Sequence, residues 1–272
     1  EGLLELVKAS IAGSILGNLL LVMGLAMVFG GVRHGIQSFD RRQASRNAIL
    51  LILAVMALVI PSLFSHYIGT ETSLRVESLS IGVAVIMLLI YGLALVFSLK
   101  VDRKPTEKKH KGDEIHLPTW SVRTSLIVLA IATLGVVVAS ELLVGAVEPV
   151  VVRLGISEFF VGIILIPIVG NVAEHLVAVK VAMQDKMDLS VEITVASSLQ
   201  IALFVAPVLV FISLFMGNPL QLIFNELELI ALIAGVIVAA LVSEDGESNW
   251  LEGSELLAVY IILALAFFLI PG

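Results

Sequence analysis

The chain is predicted to be an all-α, polytopic transmembrane protein, and three observations carry that prediction. Of its 272 residues, 59% are hydrophobic and only 14% charged, with a mean hydropathy of +1.08, far from the composition of soluble domains. The apolar residues fall into runs of roughly 18 to 27, long enough to cross about 30 Å of hydrocarbon as helices and too long for barrel strands. Lys and Arg gather in alternate connections, as the positive-inside rule requires of successive crossings.

Eight spans follow in order. The first, residues 3–29, stops short of Arg33, and the second, 47–64, begins after Arg41, Arg42 and Arg46. The third, 79–99, starts beyond Arg75 and ends where a long polar stretch opens at Lys100. The fourth, 121–144, carries Glu141 near its far end with Glu148 just beyond, both read as interfacial. The fifth, 157–180, follows Arg153 and closes on Lys180, and the sixth, 189–216, follows Lys186. The seventh, 224–243, and the eighth, 251–271, flank the acidic run SEDGESNWLEGSE at 243–255. That run is read as a solvated loop, because it lacks the twelve-residue ligand spacing of an EF-hand.

Thirteen of the sixteen Lys and Arg fall on one side of this arrangement, leaving Lys8, Arg75 and Arg153 on the other. The richer side is expected to be cytoplasmic, with the C-terminal Gly272 outside. The polar stretch then divides the chain into residues 1–99 with three spans, a cytoplasmic linker at 100–120, and residues 121–272 with five spans. No initiator Met and no basic n-region precede the first span, so the start is read as falling within a longer protein. A net charge of −7 argues against nucleic acid, and the absence of Cys excludes disulfides, thiolate metal centres and thiol redox chemistry.

An internal repeat is suggested at a constant offset of 184. Setting residues 7–25 against 191–209 matches Val7 with Val191, Ala12 with Ala196, Ser14 with Ser198, Leu19 with Leu203 and Leu25 with Leu209. These are the first and sixth spans, five crossings apart, so they run in opposite directions, as inverted repeats do. The same offset applied to Glu174 points ten residues before residue 1, so a partner motif and N-terminal spans are expected to be missing from this chain.

The chemistry gathers in LIPIVGNVAEHLVAV, residues 165–179. An acid among such neighbours costs roughly 2.5 to 3.5 kcal/mol to insert, so Glu174 needs a reason to be there. Pro167 lacks an N–H and Gly170 loosens the next turn, which predicts a break just before Asn171 and carbonyl oxygens freed by it. Asn171 and Glu174, three apart, share a face, with His175 about 100° round. The sixth span adds Ser197, Ser198 and Gln200, and the first adds Ser14, Gly17 and Asn18.

Carboxylate, amide, hydroxyl and carbonyl oxygens form a ligand set for a hard cation such as Ca²⁺. Glu174, Asn171, Ser198, Gln200, Asn18 and Ser14 are therefore the candidate ligands, with Glu174 and His175 as candidate proton-coupling groups. One Glu cannot neutralise a divalent ion, so a second carboxylate is expected. Protonation of such acids when the ion leaves would make cation and proton mutually exclusive, the minimal chemistry of antiport. The alternative for Glu174 is a protonated structural acid bonded to a neighbouring helix, and for His175 a donor between helices.

These stretches, GNVAEH (170–175), ASSLQIALFVAP (196–207), GSILGNLLLVMGL (13–25) and DGESNWLEG (245–253), resemble the Ca²⁺/H⁺ exchanger family of the cation/Ca²⁺ exchanger superfamily. The resemblance implies one extra helix plus two inverted five-helix repeats, with the ion bound where their signature helices meet and with Glu174 as the signature glutamate. It implies a secondary transporter that expels cytosolic Ca²⁺ against protons, needing no cofactor, in the cell membrane of a prokaryote. Ca²⁺, protons and the bilayer are its partners, and a homo-oligomer is left open. A Na⁺/Ca²⁺ or other divalent exchanger is the nearest alternative. An intramembrane hydrolase using Glu174 and His175 is a more distant one, since neither HExxH nor GxSxG occurs.

Overall fold

The structure is a computed structural model that describes residues 2–69, 73–101 and 121–270. The linker expected at 100–120 lies outside them from residue 102 onward, as do Gly272 and the side chain of Glu148.

Helix α1 (Gly2–Leu16) runs through a π-helical turn (Gly17–Val22) into α2 (Met23–His34), forming one rod. Most of its apolar stretch, 72%, is buried, which makes it the centre of the bundle. A two-residue strand, β1 (Gln37–Ser38), leads to α3 (Arg41–Ile68), whose first turn is capped by the Asp40 carboxylate accepting from the amides of Arg42 and Gln43. Helices α4 (Leu74–Val101) and α5 (Val122–Leu154) follow, α5 with its apolar surface turned outward. The fifth crossing comes in pieces: α6 (Glu158–Phe160), a second π-helical turn (Val161–Leu165), α7 (Ile166–Gly170) and α8 (Val172–Ala182). The sixth joins α9 (Met187–Gln200) through a third π-helical turn (Ile201–Val205) to α10 (Ala206–Phe215). Helix α11 (Glu226–Val242), strand β2 (Glu247–Ser248) and α12 (Trp250–Phe268) complete the described chain.

Six of these rods are long and apolar enough to cross a membrane, and the bent pair Glu158–Gly170 and Val172–Ala182 makes a seventh. Helix α11, with 17 residues, is the shortest and occupies the place of the seventh expected span. The expected order therefore holds, with ends moved: the first rod runs on to His34 and the fourth to Leu154.

The two ends of the bundle are tied differently. At one end β1 pairs antiparallel with β2, Gln37 opposite Ser248. Gln37 Nε2 donates to the Ala182 carbonyl at 3.0 Å and to Asp185 Oδ1 at 2.9 Å, and Arg41 Nε donates to the Glu244 carbonyl at 2.8 Å. Three connections thus meet where Arg33, Arg41, Arg42 and Lys186 cluster, as the charge pattern anticipated. The acidic run at 243–255 is not the solvated loop expected. Ser243, Gly246 and Ser248 are buried, β2 uses its middle, and α12 begins at Trp250 on a capping box between Asn249 and Glu252. Its charge alone points to solvation, whereas the charged side chains project from a backbone that is paired.

At the other end a non-helical stretch between α10 and α11 dips into the bundle, burying Leu220, Leu222, Ile223 and Phe224. Its backbone is satisfied by side chains. The amides of Leu220, Leu222 and Phe224 donate to the hydroxyls of Ser213, Ser80 and Ser62 at 2.7, 3.2 and 2.9 Å, and Lys8 Nζ donates to the Ile223 carbonyl at 2.9 Å. Irregular backbone at this depth is tolerable only when paired in this way.

Small residues let the central rod be approached closely. A Cβ on Gly13 would lie 1.9 Å from the Ile163 carbonyl oxygen, and one on Gly253 would lie 2.6 Å from that of Gly24. Helix backbones in near contact are how packing is gained where the surrounding lipid is as apolar as leucine.

Candidate ion site

The break expected before Asn171 is present. The helix bends by 60° between Gly170 and Val172, with Asn171 at φ −109° and ψ 12° as the hinge residue. Asn171 Nδ2 spans the bend, donating to the Pro167 carbonyl at 3.0 Å and to Ser14 Oγ on α1 at 3.3 Å. The Pro167 carbonyl also accepts from the Asn171 amide at 3.1 Å, so it is occupied rather than freed for an ion.

One turn on, Glu174 reaches α9, where its Oε2 accepts from Ser197 Oγ at 2.6 Å. A bond this short fixes one carboxylate oxygen, and no other hydrogen bond to the Glu174 carboxylate is present among the described residues. Glu174, Ser197 and Gln200 line an open cavity of about 430 Å³, whose remaining wall is apolar or small: Ala173, Val177, Ile193 and Ala196. Among the described residues Glu174 is the only acid on that wall.

The other candidates divide between this cavity and the interior. Ser14 is buried against the bend through Asn171. Ser198 is fully buried and bonds back to its own helix, Oγ donating to the Thr194 carbonyl at 2.9 Å, away from Glu174. Asn18 sits in the first π-helical turn, 2% exposed, and its Nδ2 finds no partner among the described residues. His175 is half-buried, and its Nε2 is likewise without one. The geometry thus gathers Glu174 with Ser197 and Gln200, joins Asn171 to Ser14, and leaves Ser198 and Asn18 on the spans that pack against α8. Ser197 is not among the candidate ligands that the sequence suggests, yet it is the serine that bonds Glu174. It stands beside Ser198, and only the partner across the helix interface distinguishes them.

The first and sixth spans run antiparallel. The first starts at the Ile223 end, where Lys8 is bonded, and the sixth starts at the opposite end, where the carboxylate of Asp188 accepts from the Asp40 amide at 2.5 Å. Their π-helical turns begin at Gly17 and Ile201, which are 184 residues apart, the offset of the repeat. Such turns occur mostly as single insertions in α-helices, often at functional sites.

The family described as sodium/calcium exchanger protein matches residues 1–100 and 124–269. The chain belongs to this family. Among the exchanger relatives, a protein named Ca²⁺/H⁺ antiporter from Aphanothece halophytica is 45% identical over 292 aligned residues, covering 100% of this chain and 76% of that protein. One named Ca²⁺/H⁺ antiporter ChaA from Bacillus subtilis (strain 168) is 45% identical, covering 99% of this chain and 77% of its own. The solved structure of native YfkE superposes with a TM-score of 0.83 at 43% identity, covering 99% of this chain and 77% of that one. The chain thus spans about three quarters of each of these exchangers.

Proposed function

We propose that this chain works as a Ca²⁺/H⁺ antiporter, moving Ca²⁺ out of the cytoplasm by alternating access as protons move in. One observation carries the reading: the Glu174 carboxylate, held by Ser197, on the wall of a cavity beside a broken helix. Relatives 45% identical across the whole chain carry the name of that exchange, which supports it. The hydrolase alternative is set aside, since these relatives are transporters.

In the proposed mechanism Glu174 supplies the charged oxygen, and Ser197 and Gln200 supply neutral oxygens from α9. Asn171 and Ser14 hold the bend that aims Glu174, and Asn18 and Ser198 stay in the candidate ligand set from the flanking spans, Ser198 only if its hydroxyl turns from the Thr194 carbonyl toward the ion. A divalent ion needs a second carboxylate beyond this wall, because one Glu leaves half its charge uncompensated in a poorly solvating environment. When the ion departs, protonation of Glu174 removes the uncompensated charge, with His175 as the adjacent relay. The proton then blocks rebinding until the site faces the other side.

We further propose that residues 1–99 and 121–272 belong to two halves related by inversion, a reading supported by the π-helical turns at the repeat offset. The end that carries Arg41 and Lys186 is assigned to the cytoplasm together with the linker at 100–120, and the prokaryotic cell membrane is the assigned location. The test is ⁴⁵Ca²⁺ uptake by proteoliposomes loaded at acid pH and diluted into alkaline buffer. Uptake that collapses with the pH gradient is expected. Uptake that follows a Na⁺ gradient and ignores pH would replace the proposal with Na⁺/Ca²⁺ exchange.

A further inference from the structure

We infer that Glu192 guides cations along the route between the end bearing Arg41 and Lys186 and the carboxylate of Glu174. The inference rests on the proposed exchange and deepens it, by assigning a residue to the access path.

Helix α9 carries Asp188, Glu192, Ala196 and Gln200 at four-residue steps, a single drifting stripe along one side. Two cavities meet on that stripe. Ala196 and Gln200 line both the 430 Å³ cavity of Glu174 and a second cavity of about 570 Å³ between α3, α4 and α9. Glu192 is on the wall of the second, together with Gln43, Asn47 and Arg46 from α3. A smaller cleft lined by Glu192, Asn47, Asp188 and Asp40 continues to the end of the bundle where the connections meet. The polar groups therefore follow one another from the end of the bundle inward: Asp40 and Asp188 at the mouth, Glu192 with Asn47 and Gln43 behind them, then, about two turns on, Gln200 and Glu174.

Eight helical residues separate Glu192 from Gln200, about 12 Å along the axis, too far for one ion to touch both. Glu192 is thus a separate station and not part of the Glu174 site. An acid on the low-dielectric wall of a cleft concentrates field lines and raises the local concentration of cations. The cation that faces this cavity, Arg46, has its guanidinium over the Phe97 ring at 5.4 Å, stacked on α4. Ala196, the smallest side chain of the stripe, lies on the wall of both cavities.

The test is initial-rate Ca²⁺ transport by the full-length protein in sided vesicles, with E192Q and E192D compared with the parent at low and high ionic strength. E192Q is expected to raise KM for Ca²⁺ presented at the Arg41 end about threefold or more at low salt, with maximal rate within about twofold of the parent. The difference should shrink at high salt, where screening replaces steering, and E192D should restore the parental KM. A KM unchanged by E192Q, or a loss of rate indifferent to salt, would overturn the inference. A parent with no proton-coupled Ca²⁺ transport would overturn the exchange proposal and this inference with it. An active parent with an unaltered E192Q overturns this inference alone.

Discussion

At the residue scale, Glu174 is bonded through one carboxylate oxygen to Ser197, so the two can be tested as a unit. Glu174→Gln keeps shape and hydrogen bonding but removes the charge, and it is expected to abolish proton-coupled Ca²⁺ uptake while leaving the thermal unfolding profile in detergent nearly unchanged. Ser197→Ala removes a bond to a charged group, worth about 1.5–3 kcal/mol when fully formed and less at an exposed site. Ca²⁺ affinity, read by isothermal titration, should fall about three- to tenfold. Affinity should also fall as pH is lowered, because each proton taken up by Glu174 cancels the charge that attracts the ion. An affinity that does not change on acidification would remove Glu174 from the coupling step. The importance of Glu174, Asn171 and Pro167 was legible in the sequence, since an acid, an amide and a helix breaker stand out among Val, Ile and Leu. The choice of Ser197 over Ser198 was not. Adjacent residues differ by about 100° around a helix, and hydropathy does not say which of two serines faces the neighbour.

At the element scale, what was legible follows from what a pattern can encode. The eight rods and the break at Asn171 could be read because apolar length and Pro or Gly placement are local properties. The three π-helical turns could not, because one inserted residue changes no local composition. The depth of the stretch at 217–225 was also hidden, since its partners Ser62, Ser80 and Lys8 lie more than a hundred residues away in sequence. Close packing of elements yields a paired prediction. Gly13→Ala forces a methyl group into the Ile163 carbonyl and should lower stability by about 1–3 kcal/mol or more, because the backbones must separate. Gly17→Ala meets nothing within 4 Å and should be neutral or slightly stabilising. Unfolding midpoints in one detergent decide the sign of each.

At the scale of the whole molecule, the end-to-end polarity can be tested because the chain has no native Cys. Ser248 is buried beneath Gln37 and would label poorly, whereas its neighbour Glu247 is exposed. Cysteine at Glu247 should react with a membrane-impermeant maleimide only from the cytoplasmic face, and cysteine at Asn218, also exposed, only from outside. Labelling of both from one face would overturn the assigned orientation. The stretch at the Asn218 end has a consequence for dynamics. Its amides at Leu220, Leu222 and Phe224 alternate along the chain, and each is held by a serine from a different helix, α10, α4 and α3 in turn. In hydrogen–deuterium exchange such a segment should behave as a sheet strand would, with every second amide slow, although no strand lies beside it among the described residues. Its exchange rate then reports cooperative opening of three helices at once rather than fraying of a loop. Any conformational cycle that parts those helices must appear as simultaneous loss of protection at the three amides.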